Sequence, residues 1–202
     1  VIVMDDKRLM QDLCGYQGSK ALLFCIDYNR IVRTAEFLGF WYEPDGLTAF
    51  ITGAVDTSLA AQTASLAAKS LGIDSLFTNG IHRQNIRQVY ERLNLPDRFC
   101  FPLIMLILGY PAEETAHETG RLTGTGVMHH NGYQTLTHAE LERIVQKYDD
   151  PASHLALSDA WQKSGDQHYL DWFFKFRVRE KNTEKEQELL EILKTSGFLP
   201  DC

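Results

Sequence analysis

Between Thr52 and Leu71 the chain carries alanine at 54, 60, 61, 64, 67 and 68, with Leu59, Leu66 and Leu71 among them. The stretch predicts a helix over about 52–71, with Asp56 in its first turns, where a carboxylate suits the helix dipole, and Gly72 as its stop. Small residues on most faces let neighbours pack close on several sides at once. That describes a central helix, one that a second subunit can share.

The remaining elements have to surround it. Val1-Ile2-Val3-Met4 reads as an apolar strand, and Asp6 to Leu13 as a short helix. After a turn at Gly15 to Gly18, the continuous apolar run Ala21 to Ile26, closed by Asp27, has the pattern of a strand covered on both faces. Helical spacing through Ile31, Ala35 and Leu38 ends at Gly39, and Pro44-Asp45-Gly46 has the residue types of a turn. A short strand from Ser75 to Thr78, a turn at Asn79-Gly80, a helix bearing Ile86, Val89, Tyr90 and Leu93, and a strand from Phe99 to Leu108 follow. Strands alternating with helices favour a sheet covered by helices. Residues 112–136 read mostly as loop, Thr137 to Tyr148 as a helix capped by Thr137 with Glu140 at N3, and 149–168 as a polar loop. Tyr169 to Phe176 suits a strand or half a helix. Thr183 to Ser196 is a helix with Leu189, Leu190 and Leu193 on one face and Gly197 at its end.

With 202 residues the chain can bury a proper core. Lys+Arg 20 against Asp+Glu 27 gives a net charge of −7, which argues against binding nucleic-acid phosphates or anionic lipid. The longest apolar run, Phe99 to Leu108, is broken by Pro102 and is too short to span a bilayer. Cys14, Cys25, Cys100 and Cys202 are scattered, as free thiols in a reducing cytoplasm are. A globular chain seldom opens on a core strand, so an amino-terminal portion is expected before Val1. No repeat or linker appears. The expected organisation is one domain over 1–202, with a core over 1–134 and a carboxy-terminal extension over 135–202.

Stand-alone catalytic motifs mostly fail. Gly124-Thr-Gly126 is followed by His129 where a dinucleotide fingerprint needs glycine, which disfavours a dehydrogenase that works without flavin. His117-Glu118 lacks the second histidine of a zinc-protease helix. His129 and His130, adjacent on a strand, would point to opposite faces, so no metal site is expected. No G-x-S-x-G elbow selects a serine nucleophile. His82, Arg83 and Arg87 cluster at a helix start where phosphate could sit, although solvated charges or pairing with Glu91 explain the arginines as well.

Combination says more. Val55-Asp56-Thr-Ser-Leu-Ala-Ala-Gln62 running on to Gly72-Ile73, then Phe77-Thr78-Asn79-Gly80, Leu95-Pro96, and Phe101-Pro102 through Gly109-Tyr110-Pro111 resemble, in order and spacing, the nitroreductase family of flavin enzymes. Gly120-Arg121-Leu122 and Val127-Met-His-His-Asn-Gly-Tyr133-Gln134 are similar to the Pro-Arg-Leu and Val-His-Glu-Asn-x-Tyr-Gln stretches of its longer branch, the oxygen-insensitive NADPH nitroreductases and flavin reductases. Leu193 to Phe198 resembles that branch's ending. The likeness is strongest over 1–134. It departs in two places: the family's Arg-x-Ser-x-Arg phosphate anchor is not among these residues, and Thr119-Gly120 stands where the branch has Lys-Pro.

The resemblance implies an α+β fold, a mostly antiparallel sheet flanked by helices, in a homodimer with FMN at the subunit interface. It implies that Phe77, Thr78, Asn79 and Gly80 touch the flavin, Gly80 letting bare main chain approach N5, and that Arg121 holds phosphate or ring oxygens. No protein acid, base or nucleophile is then required. NAD(P)H would deliver hydride to the flavin, and a small planar acceptor (a nitro compound, quinone or free flavin) would take it away in a ping-pong cycle. By the same analogy the 149–168 loop, with Trp161, is expected to cover the nicotinamide site. The alternative is a flavin-free interaction module on the same fold.

Overall fold

A computed structural model describes residues 1–113, 118–178 and 183–200. His117 and Cys202 lie outside the described residues. The chain divides into two compact units, residues 1–112 with 182–202, and residues 113–181.

The first unit is built on a four-stranded antiparallel sheet of β1 (Ile2–Met4), β2 (Lys20–Asp27), β3 (Asp74–Thr78) and β4 (Cys100–Gly109), in the order β1-β2-β4-β3. The opening run is thus the edge partner of β2, with Ile2 opposite Leu23. Pro102 falls inside a central strand, where it cannot donate to a neighbour. The sheet absorbs it at a bulge: Cys25 pairs with Pro102 while Phe24 pairs with Ile104. Against one face lie α1 (Lys7–Cys14), α4 (Gly80–Arg83) and α5 (Ile86–Leu93), closing a core of Met10, Leu13, Ala21, Leu23, Val89 and Met105. Asp6 caps α1, its carboxylate accepting the Arg8 and Leu9 amides at 2.8 and 3.1 Å.

Helix α2 (Asn29–Phe37) buries none of its residues. The alanine-rich helix α3 runs Gly46–Ser70, beginning six residues before the expected start at Thr52. Pro44 is buried and Asp45 occupies the N-cap position without a side-chain hydrogen bond to the helix, so the Pro-Asp-Gly signal launches the helix and does not end a loop. Asp56 therefore lies about three turns inside, beyond the reach of the N-terminal dipole. Ala49, Thr57, Ala61 and Ala68 form the buried face of α3, and Ala61 packs with Phe24 and Leu106 of the sheet.

In the second unit α6 (His138–Asp149) starts as expected. The Glu140 carboxylate accepts the Thr137 amide and hydroxyl at 2.8 and 2.7 Å. Residues 149–168 contain two 3-10 turns, Pro151–Ser153 and Asp159–Lys163, and the aromatic segment is a helix, α7 (Tyr169–Phe176). Tyr169 is fully buried and stacks on Tyr148 with centroids 5.9 Å apart. Back in the first unit, α8 (Thr183–Thr195) packs Leu189, Ile192 and Leu193 around Phe198. Leu190, expected on that face, is 45% exposed: Ile192 completes the stripe in its place.

Candidate functional site

The stretch singled out by sequence, Phe77 to Gly80, ends the edge strand β3 and starts α4. It is a helix start and not the free-standing turn its Asn-Gly pair suggests. Phe77 is half-buried against the cluster of Phe24, Ala61 and Leu106. Thr78 is buried, and its Oγ1 accepts the Gly80 amide at 3.0 Å. Asn79 caps α4. Its carbonyl accepts the His82 amide at 3.0 Å, while its side chain is exposed and makes no hydrogen bond among the described residues.

Gly80 is glycine for a steric reason that the sequence does not display. A Cβ built there would lie 2.2 Å from the carbonyl oxygen of Cys14, the last residue of α1. Gly80 is itself buried and its φ is not positive, so the conformational freedom of glycine is not what the position uses. The bare face expected to meet a flavin is filled by the polypeptide's own α1, and the amide expected at N5 is held by Thr78. What the corner offers to solvent is Asn79.

Behind the corner stands His82. Its Nε2 lies 2.7 Å from the carbonyl oxygen of Pro102, and its ring centroid is 5.5 Å from that of Phe101. Burial pushes its pKa below the ordinary 6.5, against the Pro102 hydrogen bond, so the neutral imidazole donates to that carbonyl. Arg87 is not paired with Glu91 as the spacing suggests. It reaches α8 instead, with Glu191 at 2.7 Å and Glu188 at 3.3 Å.

Arg121 belongs to the second unit. Its guanidinium is exposed and donates to the carbonyls of Thr119 and Gly120 at 3.3 and 2.9 Å, leaving further donors for an anion. Gly120 fixes the loop that carries it. Its amide donates to the His154 carbonyl at 2.9 Å, and a Cβ on it would lie 1.9 Å from the Ser153 carbonyl oxygen. Residues 119–122 border a cavity of about 270 Å³ with Leu155, Tyr169 and Phe173. His129 spends its Nδ1 on the Gln134 amide at 3.1 Å and stacks with Tyr133. Among the described residues no three His, Cys, Asp or Glu side chains are grouped to hold a metal, and no helix is long and apolar enough to cross a membrane.

One feature went unread in the sequence. In Phe37-Leu38-Gly39-Phe40-Trp41-Tyr42, Phe37, Phe40 and Trp41 are 88%, 69% and 85% exposed. Its signal was the density of large apolar side chains without either helical or strand period.

Residues 18–110 match the model of the nitroreductase family. The FMN reductase [NAD(P)H] of Bacillus subtilis is 34% identical over 163 residues, which are 76% of this chain and 64% of that protein. The oxygen-insensitive NADPH nitroreductase of Salmonella typhimurium is 34% identical over 146 residues, 70% of this chain and 55% of its own. This chain thus spans less than two-thirds of the length of either curated relative. The fold superposes on that of the NfrA1 nitroreductase from B. subtilis with a TM-score of 0.74 at 25% identity, covering 95% of this chain and 80% of that one. For NfrA1 of B. megaterium the TM-score is 0.77 at 24% identity, with 98% and 81% covered.

Proposed function

The chain carries a nitroreductase-family domain over residues 18–110, and from that premise we propose that it is an FMN-dependent NAD(P)H oxidoreductase, cytoplasmic and homodimeric. Its acceptors in this reading are nitro compounds, quinones or free flavins, reduced in a ping-pong cycle. The family match carries the proposal. The names of its relatives, an FMN reductase and an NADPH nitroreductase, supply the cofactor and the donor.

FMN, when bound, would supply the hydride-accepting and hydride-releasing chemistry. The protein's part is to bind and orient. Asn79 is the member of the Phe77–Gly80 stretch free to do so, its carboxamide offering both a donor and an acceptor to the polar edge of a flat ring. Thr78 and Gly80 position it from behind, through the 3.0 Å hydrogen bond and the seat on Cys14. Phe77 fixes the strand that leads to it. Arg121 is assigned to the cofactor's phosphate or ring oxygens, where a guanidinium with unspent donors suits an anion. The 149–168 segment, with Trp161 in its second 3-10 turn, covers the nicotinamide site in this reading.

The second reading, a flavin-free interaction module, is favoured by one observation. The Gly80 amide and the open side of its Cα are both already occupied by protein. Titration with FMN separates the two. The oxidoreductase reading expects quenching of flavin fluorescence on binding, FMN-dependent oxidation of NAD(P)H, parallel double-reciprocal plots against acceptor, and weakened FMN binding in Asn79→Ala. A protein that leaves FMN fluorescence unchanged and NAD(P)H unoxidised overturns it in favour of the module.

A further inference from the structure

We infer that Cys25 and Cys100 form a reversible oxidation site, at which hydrogen peroxide converts two touching thiols into a disulfide between β2 and β4. The inference is independent of the flavin reading and goes beyond it.

The register of the two strands brings the thiols together. Cys25 pairs with Pro102 and Asp27 with Cys100, so both cysteines point to the same face of the sheet, one diagonal step apart. In a regular ladder such a diagonal spans about 7–8 Å, just beyond the roughly 4.4–6.8 Å between the Cα atoms of a disulfide. This ladder is not regular there. The bulge leaves Leu103 without a partner on β2 and lets the strands twist more sharply at this point. The thiols are in hydrogen-bond contact, Cys100 donating to Cys25. Both are free cysteines.

Their surroundings give them different parts. Cys25 is half-buried, and a cavity of about 540 Å³ bordered by Arg30, Asp56 and Thr57 opens beside it. Cys100 is closed off from water, 3% exposed. The hydrogen bond from Cys100 holds Cys25 below the ordinary thiol pKa against the effect of burial, while that bond and burial push Cys100 above it. A thiolate is the nucleophile, so Cys25 is the residue that peroxide meets. Cys14 is the internal contrast: it is buried, its pKa is raised by that burial, and its thiol donates to the Tyr16 carbonyl at 3.8 Å.

The chemistry closes in two steps. The Cys25 sulfur attacks one peroxide oxygen, the O–O bond breaks, and the departing hydroxide takes a proton to leave as water and a Cys25 sulfenic acid. The Cys100 sulfur then attacks Cys25, the S–O bond breaks, and the Cys100 proton passes to the leaving hydroxide, giving a second water. Two electrons go from the thiol pair to peroxide. A bond closed across a stretched diagonal carries strain and is easily reduced again.

The test treats the whole folded chain with hydrogen peroxide, counts free thiols and maps the unreduced peptides by mass spectrometry. About one equivalent of peroxide should remove two thiols and yield a Cys25–Cys100 linked peptide about 2 Da lighter than its two parts, and dithiothreitol should restore both. Cys25 should react at least about 10-fold faster than Cys14. In Cys100→Ala, dimedone should mark Cys25 as a sulfenic acid, and in Cys25→Ala the same peroxide should leave Cys100 unmarked. The inference is overturned if Cys14 or Cys202 oxidises while Cys25 and Cys100 stay reduced, or if Cys25 goes on to sulfinic acid in the unsubstituted chain with Cys100 still a thiol. The map of the unsubstituted chain decides this even where a variant fails to fold.

Discussion

Gly80 and Gly120 belong to different units and are glycine for the same reason: each lets a backbone carbonyl come where a side chain would stand. The Cys14 oxygen would be 2.2 Å from a Cβ at Gly80, and the Ser153 oxygen 1.9 Å from one at Gly120. Each glycine also adjoins a residue assigned to the cofactor, Asn79 in one case and Arg121 in the other. What differs is the ground behind the carbonyl. Cys14 ends a helix whose Met10 and Leu13 are buried in the sheet core, and Gly80 is followed by the fully buried Ile81. Ser153 closes a 3-10 turn whose other two residues, Pro151 and Ala152, are exposed, and Gly120 lies between exposed Thr119 and exposed Arg121. A tight contact is costly where neither side can move, so the shorter distance is not the more expensive one.

Gly80→Ala should therefore have the largest effect. With backbone on both sides of the clash, the cost falls at or above the usual range for overpacking, about 3 kcal/mol. In a chain of this size that lowers the Tm of the first unit by roughly 6–12 °C, read by circular dichroism. An unchanged Tm would mean that α1 can withdraw from α4, and the corner would then be no firmer than the loop.

Gly120→Ala should cost less despite its closer contact, about 1–2 kcal/mol, because the 151–153 turn can shift outward. Hydrogen exchange should show the loss confined to 119–122 and 151–155, with the sheet of the first unit untouched. A loss equal to that of Gly80→Ala would erase the distinction between the two grounds.

The sequence disclosed elements more readily than contacts. Continuous apolar runs located β2 and β4, and Thr137 with Glu140 located the start of α6, because these signals depend on neighbours along the chain. Asn79-Gly80 misled in kind, since a turn and a helix start share the same residue types and only the arrival of Cys14 from 66 residues earlier decides between them. The start of α3 was missed because Pro-Asp-Gly serves a helix N-terminus as well as a turn. Arg87 took its partners from α8, about a hundred residues away, where no local spacing could point. The exposed rings of Phe37–Tyr42 were invisible for the opposite reason: in sequence a surface aromatic and a core aromatic look alike.

Acid should separate the regions by a smaller margin. His82 supports the first unit as a neutral ring, its pKa held below 6.5 by burial. Because the unfolded chain takes up a proton that the folded one resists, this contribution is complete above pH 6.5. It fades as the pH falls from there through the folded value, at no more than about 1.4 kcal/mol per pH unit. His82→Gln keeps a donor for the Pro102 carbonyl and should flatten that slope. In the second unit, the amide and hydroxyl of Thr137 hold the exposed Glu140 carboxylate below its ordinary 4.5. Its cap on α6 is accordingly intact throughout the range in which His82 titrates, and is lost only as the pH drops below 4.5 through the depressed folded value. Hydrogen exchange across pH 7 to 4, corrected for intrinsic rates, should show α4 and α5 losing protection first and α6 only at the acid end. Glu140→Gln should leave the first of these losses in place and remove the second. If α6 loosens together with α4 and α5 near pH 6, acid does not act on the two regions through these two groups.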